Sequence, residues 1–428
     1  MSERRDRWPD VAPALRDAAR RFGTPVAVTD VAELTRSAEG VSSAFPEPWI
    51  RSFSIKANDV AAVVERLAAL GFGANVVSRG EWAVARRAGI PNRLITFEGV
   101  GKTDDDLRAV VRAARRGDPP LWLAIESLDE AAELVHLAAS GLGGGTLDIL
   151  FRLNPSVRPD TQAGLAVGAA TSKFGMTADE VTAAVVLVGA TPGLWPRGIH
   201  LHVGSQLRSI DAWRDGIRRA VALAALLRGS WPGFDTLDVG GGFPVLPQDE
   251  PAPDPARFAW VVPGLLARFP EDRRPTRLAI EPGRALVARA GYLVGRVLHV
   301  RERQGRQIVL DVGMTDLIRP ALYGARHEIA ALTSLGRPWE PGRSATGATG
   351  ATTPTRVEGP ICESTDHLGE HGLPALRRGD LVAIKDTGAY AASLSSTYNG
   401  RPRVPQVLLE DGGRLVLARR RGSLAGLG

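Results

Sequence analysis

Lys56, in the stretch SIKAN, is the first residue whose type and place could do chemistry, because it closes a β-type run and only four of the 53 lysines and arginines are lysine. Burial disfavours the charged form of an amine, and a neutral amine is a nucleophile toward aldehydes. Lys56 is therefore either a salt-bridged rim residue or a Schiff-base lysine. HLHVGSQ (200–206) and LDVGGGF (237–243) form a second constellation. Glycines at a strand end let backbone N–H groups approach an anion, and a serine hydroxyl can donate to the same oxygens. Gly240, Gly241 and Gly242 with Ser205 thus read as a phosphate cradle or as a plain turn. His202 is either a core histidine or a flat ring placed to stack on an aromatic group. Glu281, in AIEPGR, is either structural or a carboxylate that would keep a pyridine nitrogen protonated.

The elements that must position these residues are legible as alternation. Eight β-type runs, at 52–57, 74–78, 94–99, 121–127, 148–154, 198–205, 236–241 and 277–283, are separated by segments whose apolar residues recur every three or four positions. Eight strands with helical crossovers predict an α/β fold of the (β/α)8 TIM-barrel type, with a doubly wound open sheet as the alternative. In such a barrel the C-terminal strand ends carry the site, and Lys56, Ser78, Glu98, Arg152, His202, Ser205, Gly240 to Gly242 and Glu281 all fall there. After Arg284 the chain reads as strands with turn signals, an all-β C-terminal domain. The expected division is an N-terminal segment, 1–35, whose strand TPVAVTD (24–30) joins the β-domain; a barrel over 36–284; and the β-domain over 285–428. Residues 336–356, rich in Gly, Ala, Thr and Pro, read as a flexible surface loop.

Composition narrows the function classes. With 428 residues, 44% hydrophobic and 23% charged, the chain can bury a large core. The formal charge of +6 comes from scattered arginines without aromatic interleaving, so neither nucleic acid nor membrane is an expected partner. MSERRDRWPD has no apolar signal-peptide core and no stretch suits a membrane span, so the expected compartment is the cytoplasm. Cys362 is the sole cysteine, which leaves no disulfide framework and no multi-cysteine metal site, and no metal is expected.

A lysine, a phosphate cradle, a ring platform and a carboxylate are the four parts needed to hold pyridoxal 5′-phosphate. In combination and order, SIKAN, ANVVSRGE, FRLNPSV, SKFG, HLHVGSQ, LDVGGGF, EPGR, DVGMTDLIRPALYGARHEI, GPICESTD, DTGAY and STYNGRP resemble the fold type III pyridoxal-phosphate decarboxylases, diaminopimelate decarboxylase most closely and ornithine decarboxylase more distantly. The resemblance runs from TPVAVTD to STYNGRP. It implies an alanine racemase-like or ornithine decarboxylase-like fold, pyridoxal 5′-phosphate as cofactor, an amino acid as substrate and a head-to-tail homodimer with shared active sites. It assigns Lys56 to the covalent link with the cofactor, His202 to stacking, Glu281 to the pyridine nitrogen, and Ser205, Gly241, Gly242, Gly283 and Arg284 to the phosphate. Ser78, Arg152 and Tyr390 would line the cofactor pocket. Arg284, Arg319 and Tyr323 would hold a distal substrate carboxylate, Glu363 a distal amino group, and Tyr390 would border the same space. Cys362, supplied by the partner subunit, would protonate the carbanion. Three of the four tyrosines, Tyr323, Tyr390 and Tyr398, and the sole cysteine fall inside these motifs.

The chain departs from the family where Phe53 replaces a usual tyrosine, where Asn75 replaces the acid of GADVVS, at 161–175, and in FEGVGKTDDDL, which lacks paired asparagines. The leading expectation is decarboxylation of meso-2,6-diaminopimelate to L-lysine and CO2, in lysine biosynthesis. The alternatives are a specialised-metabolism decarboxylase of another amino acid, free or tethered to a carrier protein, a non-catalytic homologue that binds a protein partner, and an amino-acid racemase.

Overall fold

Eight short parallel strands close on themselves in the order of the chain: Ile50–Ser54, Gly73–Val76, Ile95–Phe97, Trp122–Ile125, Leu147–Arg152, Leu194–His200, Thr236–Asp238 and Arg277–Ile280. The last pairs with the first through Ile50↔Ala279 and Arg51↔Ile280. This is the expected (β/α)8 barrel, seen in a computed structural model that describes residues 7–139, 142–247, 249–339 and 352–427. It belongs to a compact unit spanning Ala38–Leu286; a second unit comprises Met1–Ser37 and Val287–Gly428.

The barrel strands form because their residues are apolar on both faces, as parallel strands covered by helices require. Trp122–Ile125 and Ile95–Phe97 are buried throughout. Several of the helices between them start where a side chain can satisfy free N–H groups. Thr103 and Asp106 form a capping box on Asp104–Arg115, and Thr177 and Glu180 form another on Ala178–Gly189. Gly198 is glycine for a steric reason: a Cβ there would lie 1.8 Å from the carbonyl oxygen of Thr236 on the neighbouring strand.

The strands stop earlier than the sequence suggests. The seventh ends at Asp238, not at 241, because Gly240 and Gly242 take positive φ (69° and 101°) that a strand cannot continue. The sixth ends at His200, so His202 and Ser205 lie on a rim loop. Lys56 likewise follows its strand, in a 3-10 turn over Ile55–Ala57.

The second unit contains a nine-stranded mixed sheet among the described residues. Its long strand Gly291–Glu302 pairs antiparallel with Val26–Asp30, Arg306–Leu310 and Leu381–Ile384. Val26–Asp30 also runs parallel to Gln406–Leu409. A helix that the sequence reading did not anticipate, Trp8–Phe22, packs Val11, Leu15 and Ala18 into a core with Val26, Val28 and Val294. Part of the loop expected at 336–356 is strand. Arg337–Pro338 pairs with Thr333–Ser334, and Thr353–Glu358 lies between Arg306–Leu310 and His367–Leu373 in the sheet, its alternate residues Thr355 and Val357 buried. Residues 340–351 of that expectation lie outside the described residues. No helix among the described residues is long and apolar enough to cross a membrane.

Candidate active site

The barrel rim gathers the residues singled out on strand ends. Lys56 is half-buried, and its charge acts on Glu81. Burial holds the Glu81 carboxyl above its usual range, against the pull of the Val77 N–H and of Lys56. Ser78 caps the helix Arg79–Arg87: its Oγ accepts from the Glu81 N–H at 3.2 Å.

The glycine loop, His202, Ser205 and Arg284 are joined directly. Cβ atoms on Gly240, Gly241 and Gly242 would each come within 2.4 Å of a carbonyl oxygen, those of Leu201, Glu281 and Gly204 respectively. The Gly241 N–H donates to His202 Nδ1 at 3.2 Å, which fixes the ring and leaves that nitrogen unprotonated. Desolvation, reinforced by Lys56 and Arg152, lowers the His202 pKa well below the usual imidazole value. Arg284 Nη2 donates to Ser205 Oγ at 3.3 Å, which leaves the serine hydroxyl proton for an anion and sets a guanidinium beside it. Gly283 packs tightly: a Cβ there would meet those of Ala57 and Ser54 at 3.1 and 3.2 Å.

Glu281 sits in a buried polar cluster that sequence reading saw only in part. Asn75 Nδ2 donates to Glu281 Oε1 at 2.7 Å and to Thr96 Oγ1 at 3.1 Å, so the amide at the position of the family's acid still bonds the key carboxylate. His200 Nε2 lies 3.2 Å from Glu98 Oε2 and 3.6 Å from Glu281 Oε2. Burial, opposed by Glu98, pushes the His200 imidazole down to about 4, so it is neutral. Burial and the charge of Glu281 push Glu98 up to about 8. Asp238 accepts from the Gly240 N–H at 2.8 Å and is likewise held far above the usual range by burial and by Glu281. Ligand atoms of Glu98, His200 and Glu281 lie within 4.8 Å of one another, close enough to surround a small cation. His200 and Asp238 were missed; their signal was the alternation of buried polar positions at the ends of the sixth and seventh strands.

Arg152 is held by a partner that sequence reading did not name. Its Nη1 donates to Glu126 Oε1 at 2.5 Å, both side chains are buried, and its guanidinium lies 4.8 Å from the Phe174 ring centroid. Burial alone would raise the Glu126 carboxyl, but Arg152 and Lys102 outweigh it and the group is lowered. This pair therefore stabilises the fold above the carboxyl's ordinary value of 4.5 and loses its contribution as pH falls through the lowered value. Glu126→Ala, which strands a buried guanidinium, is expected to cost about 3–5 kcal/mol in urea unfolding near neutral pH.

The remaining sequence-selected residues lie in the second unit. Arg319 is buried and its Nη1 is 2.8 Å from His327 Nε2, at the start of the short helix Arg319–Tyr323. Cys362 is exposed and accepts from Asn399 Nδ2 at 3.3 Å. The neighbouring Glu363 accepts from the Tyr398 hydroxyl, and from Thr365 Oγ1 at 3.2 Å. Asp366 fastens this segment from beneath, accepting from the N–H groups of Met314 and Ile361 at 2.6 and 2.8 Å. Tyr390 takes a left-handed φ of 61°. His327, Asn399 and Asp366 went unnamed in the sequence, although they lie inside the DVGMTDLIRPALYGARHEI, STYNGRP and CESTD stretches respectively.

Residues 31–288 match the family described as "Pyridoxal-dependent decarboxylase, pyridoxal binding domain". The chain belongs to this decarboxylase family. Over 422 residues it is 34% identical to a diaminopimelate decarboxylase of Vibrio cholerae, covering 98% of this chain and 95% of that one. It is 32% identical over 419 residues to the diaminopimelate decarboxylase of Zymomonas mobilis, covering 96% and 94%. Among solved structures, a Helicobacter pylori diaminopimelate decarboxylase complexed with L-lysine superposes with a TM-score of 0.85 at 28% identity, covering 96% of this chain and 98% of that one.

The decarboxylase uses pyridoxal 5′-phosphate, and the donor set of its barrel fits that group. A half-buried amine, a neutral imidazole fixed by one edge, a buried carboxylate bonded by an amide, and a serine beside an arginine are one each of the partners required for an aldehyde, an aromatic face, a ring nitrogen and a phosphate.

Proposed function

We propose that this carboxy-lyase removes one α-carboxylate from meso-2,6-diaminopimelate and releases L-lysine. The observation that carries this reading is the near-full-length match, above 30% identity, to relatives named for that reaction. The L-lysine bound in the Helicobacter pylori structure is the product such a reaction leaves.

When bound, pyridoxal phosphate supplies the electron sink for the bond to the departing carboxylate. The chain's own residues do the rest. Lys56 would hold the cofactor's aldehyde through its side-chain amine. His202 would support the ring face, Glu281 would keep an anion at the ring nitrogen, and Ser205, Gly241, Gly242, Gly283 and Arg284 would hold the phosphate. Ser78, Arg152 and Tyr390 are assigned to the walls of the cofactor pocket. Arg284, Arg319 and Tyr323 are assigned to the distal carboxylate and Glu363 to the distal ammonium, which distinguishes a substrate charged at its far end. Cys362 delivers a proton to the α-carbon, and Asn399, donating to its sulfur, fixes where that proton starts. We assign Cys362 to the partner subunit of a head-to-tail homodimer. An exposed, unpaired cysteine suits the reducing cytoplasm, where we place the enzyme.

Purified enzyme supplied with pyridoxal phosphate is expected to release CO2 from meso-diaminopimelate, with lysine accumulating in equal amount, and to leave lysine, ornithine and glutamate derivatives untouched. Release from one of those and none from diaminopimelate would replace the proposed substrate.

A further inference from the structure

The cluster beneath Glu281 holds more acid than one cofactor nitrogen needs. Glu98 on the third strand end, Asp238 on the seventh and Glu281 on the eighth are all at most 4% exposed, with His200 on the sixth among them. An amide, that of Asn75, donates to Glu281 at 2.7 Å. Glu98 Oε1 and Asp238 Oδ2 have no hydrogen-bond partner among the described residues. Three adjacent buried carboxylates cannot all ionise beside a neutral imidazole; at least one proton must be shared among them. His200 Nε2 lies 3.2 Å from Glu98 Oε2 and 3.6 Å from Glu281 Oε2, so one imidazole nitrogen brings these two carboxylates together, their ligand atoms within 4.8 Å of each other, in a group that does not include Asp238.

We propose that Glu98 is a positioning residue that keeps one proton for the pair it forms with Glu281, donating it to Glu281 so that the pair carries a single negative charge on the carboxylate that Asn75 also bonds. The proposal rests on the assignment of Glu281 to the cofactor's ring nitrogen. It gives that assignment a reason: the proton on Glu98 is what lets Glu281 stay anionic without a second charge at its side. The other charged groups acting on this cluster are Lys56, Arg152 and Glu126, all felt by His200.

A carboxyl whose folded pKa is raised contributes stability that is complete below its unfolded value, 4.5, and is lost as pH rises through the folded value of about 8. The histidines lowered by burial, His200 and His202, act oppositely but only below their ordinary value of 6.5. From about pH 7 to 8 the slope therefore belongs to Glu98.

The full-length holoenzyme should lose roughly 2 °C of its unfolding midpoint per pH unit in that window. Glu98→Gln, which keeps a donor toward Glu281 but cannot titrate, should flatten the slope. It should also remove a protonated-carboxyl stretch from pH-difference infrared spectra, and Asp238→Asn should leave that band in place. A band that survives Glu98→Gln and vanishes in Asp238→Asn would put the proton on Asp238 and overturn the proposal. So would a flat wild-type profile, which can be read even if the variants fail to fold. A wild-type midpoint raised by zinc or manganese, and not so raised in Glu98→Gln, would show a cation site instead. None of these readouts needs Lys56 to carry cofactor, so failure of the cofactor assignment would be seen separately, by borohydride trapping.

Discussion

Lys56→Ala should leave a folded protein that borohydride no longer joins to pyridoxal phosphate and whose decarboxylation falls by roughly 10^3-fold or more, the scale of removing a group at the reacting atoms. The amine sits in a 3-10 turn just past the first barrel strand, and none of the strand's pairing depends on it. Its loss is therefore expected in chemistry and not in stability, so the unfolding midpoint of the cofactor-free variant should match wild type. Trapping and peptide mapping that put the label on Lys102, Lys173 or Lys385 would transfer the role. Lys102 already pairs with Glu130 at 2.9 Å, and Lys385 with Glu328 at 2.6 Å, which makes both poor candidates. Mixing Lys56→Ala with Cys362→Ala protein should restore activity if two subunits share each site, and no recovery would count against the head-to-tail dimer.

Glu281→Gln should be the second large loss, on the order of 10²–10³-fold in kcat with a smaller change in cofactor affinity. Glutamine can still accept from Asn75, so the local packing survives, but the amide cannot hold a positive ring nitrogen opposite it. An absorbance spectrum that keeps the bound-cofactor band while turnover collapses would separate electronic from binding effects. Equal losses in both would mean that Glu281 serves only to seat the group.

The barrel could be read in advance because buried parallel strands are near-continuous apolar runs, and Ile95–Phe97 and Trp122–Ile125 are runs of that kind, buried from end to end. Lys56, Glu281 and the glycine triplet stood out for a related reason: polar or side-chain-free positions at the ends of apolar runs are costly unless used. The partnership of Glu98, His200, Asp238 and Glu281 was beyond that reasoning. It joins residues up to 183 positions apart, and only closure of the barrel brings four strand ends to one point. The Glu126–Arg152 pair is of the same kind, since either residue alone reads as a rim charge. The helix Trp8–Phe22 did carry a signal, Val11, Leu15 and Ala18 at three- and four-residue intervals with Pro9 at its start.

The sheet that sets Val26–Asp30 beside Gln406–Leu409 has a consequence for biosynthesis. Its two flanks emerge from the ribosome about 380 residues apart, with the whole of Ala38–Leu286 made in between. The intervening unit can fold while translation continues, whereas the first strand must wait for its parallel neighbour. A nascent chain halted before residue 406 leaves Val26–Asp30 with one open edge, and such a truncated product is a natural target for chaperone capture or aggregation.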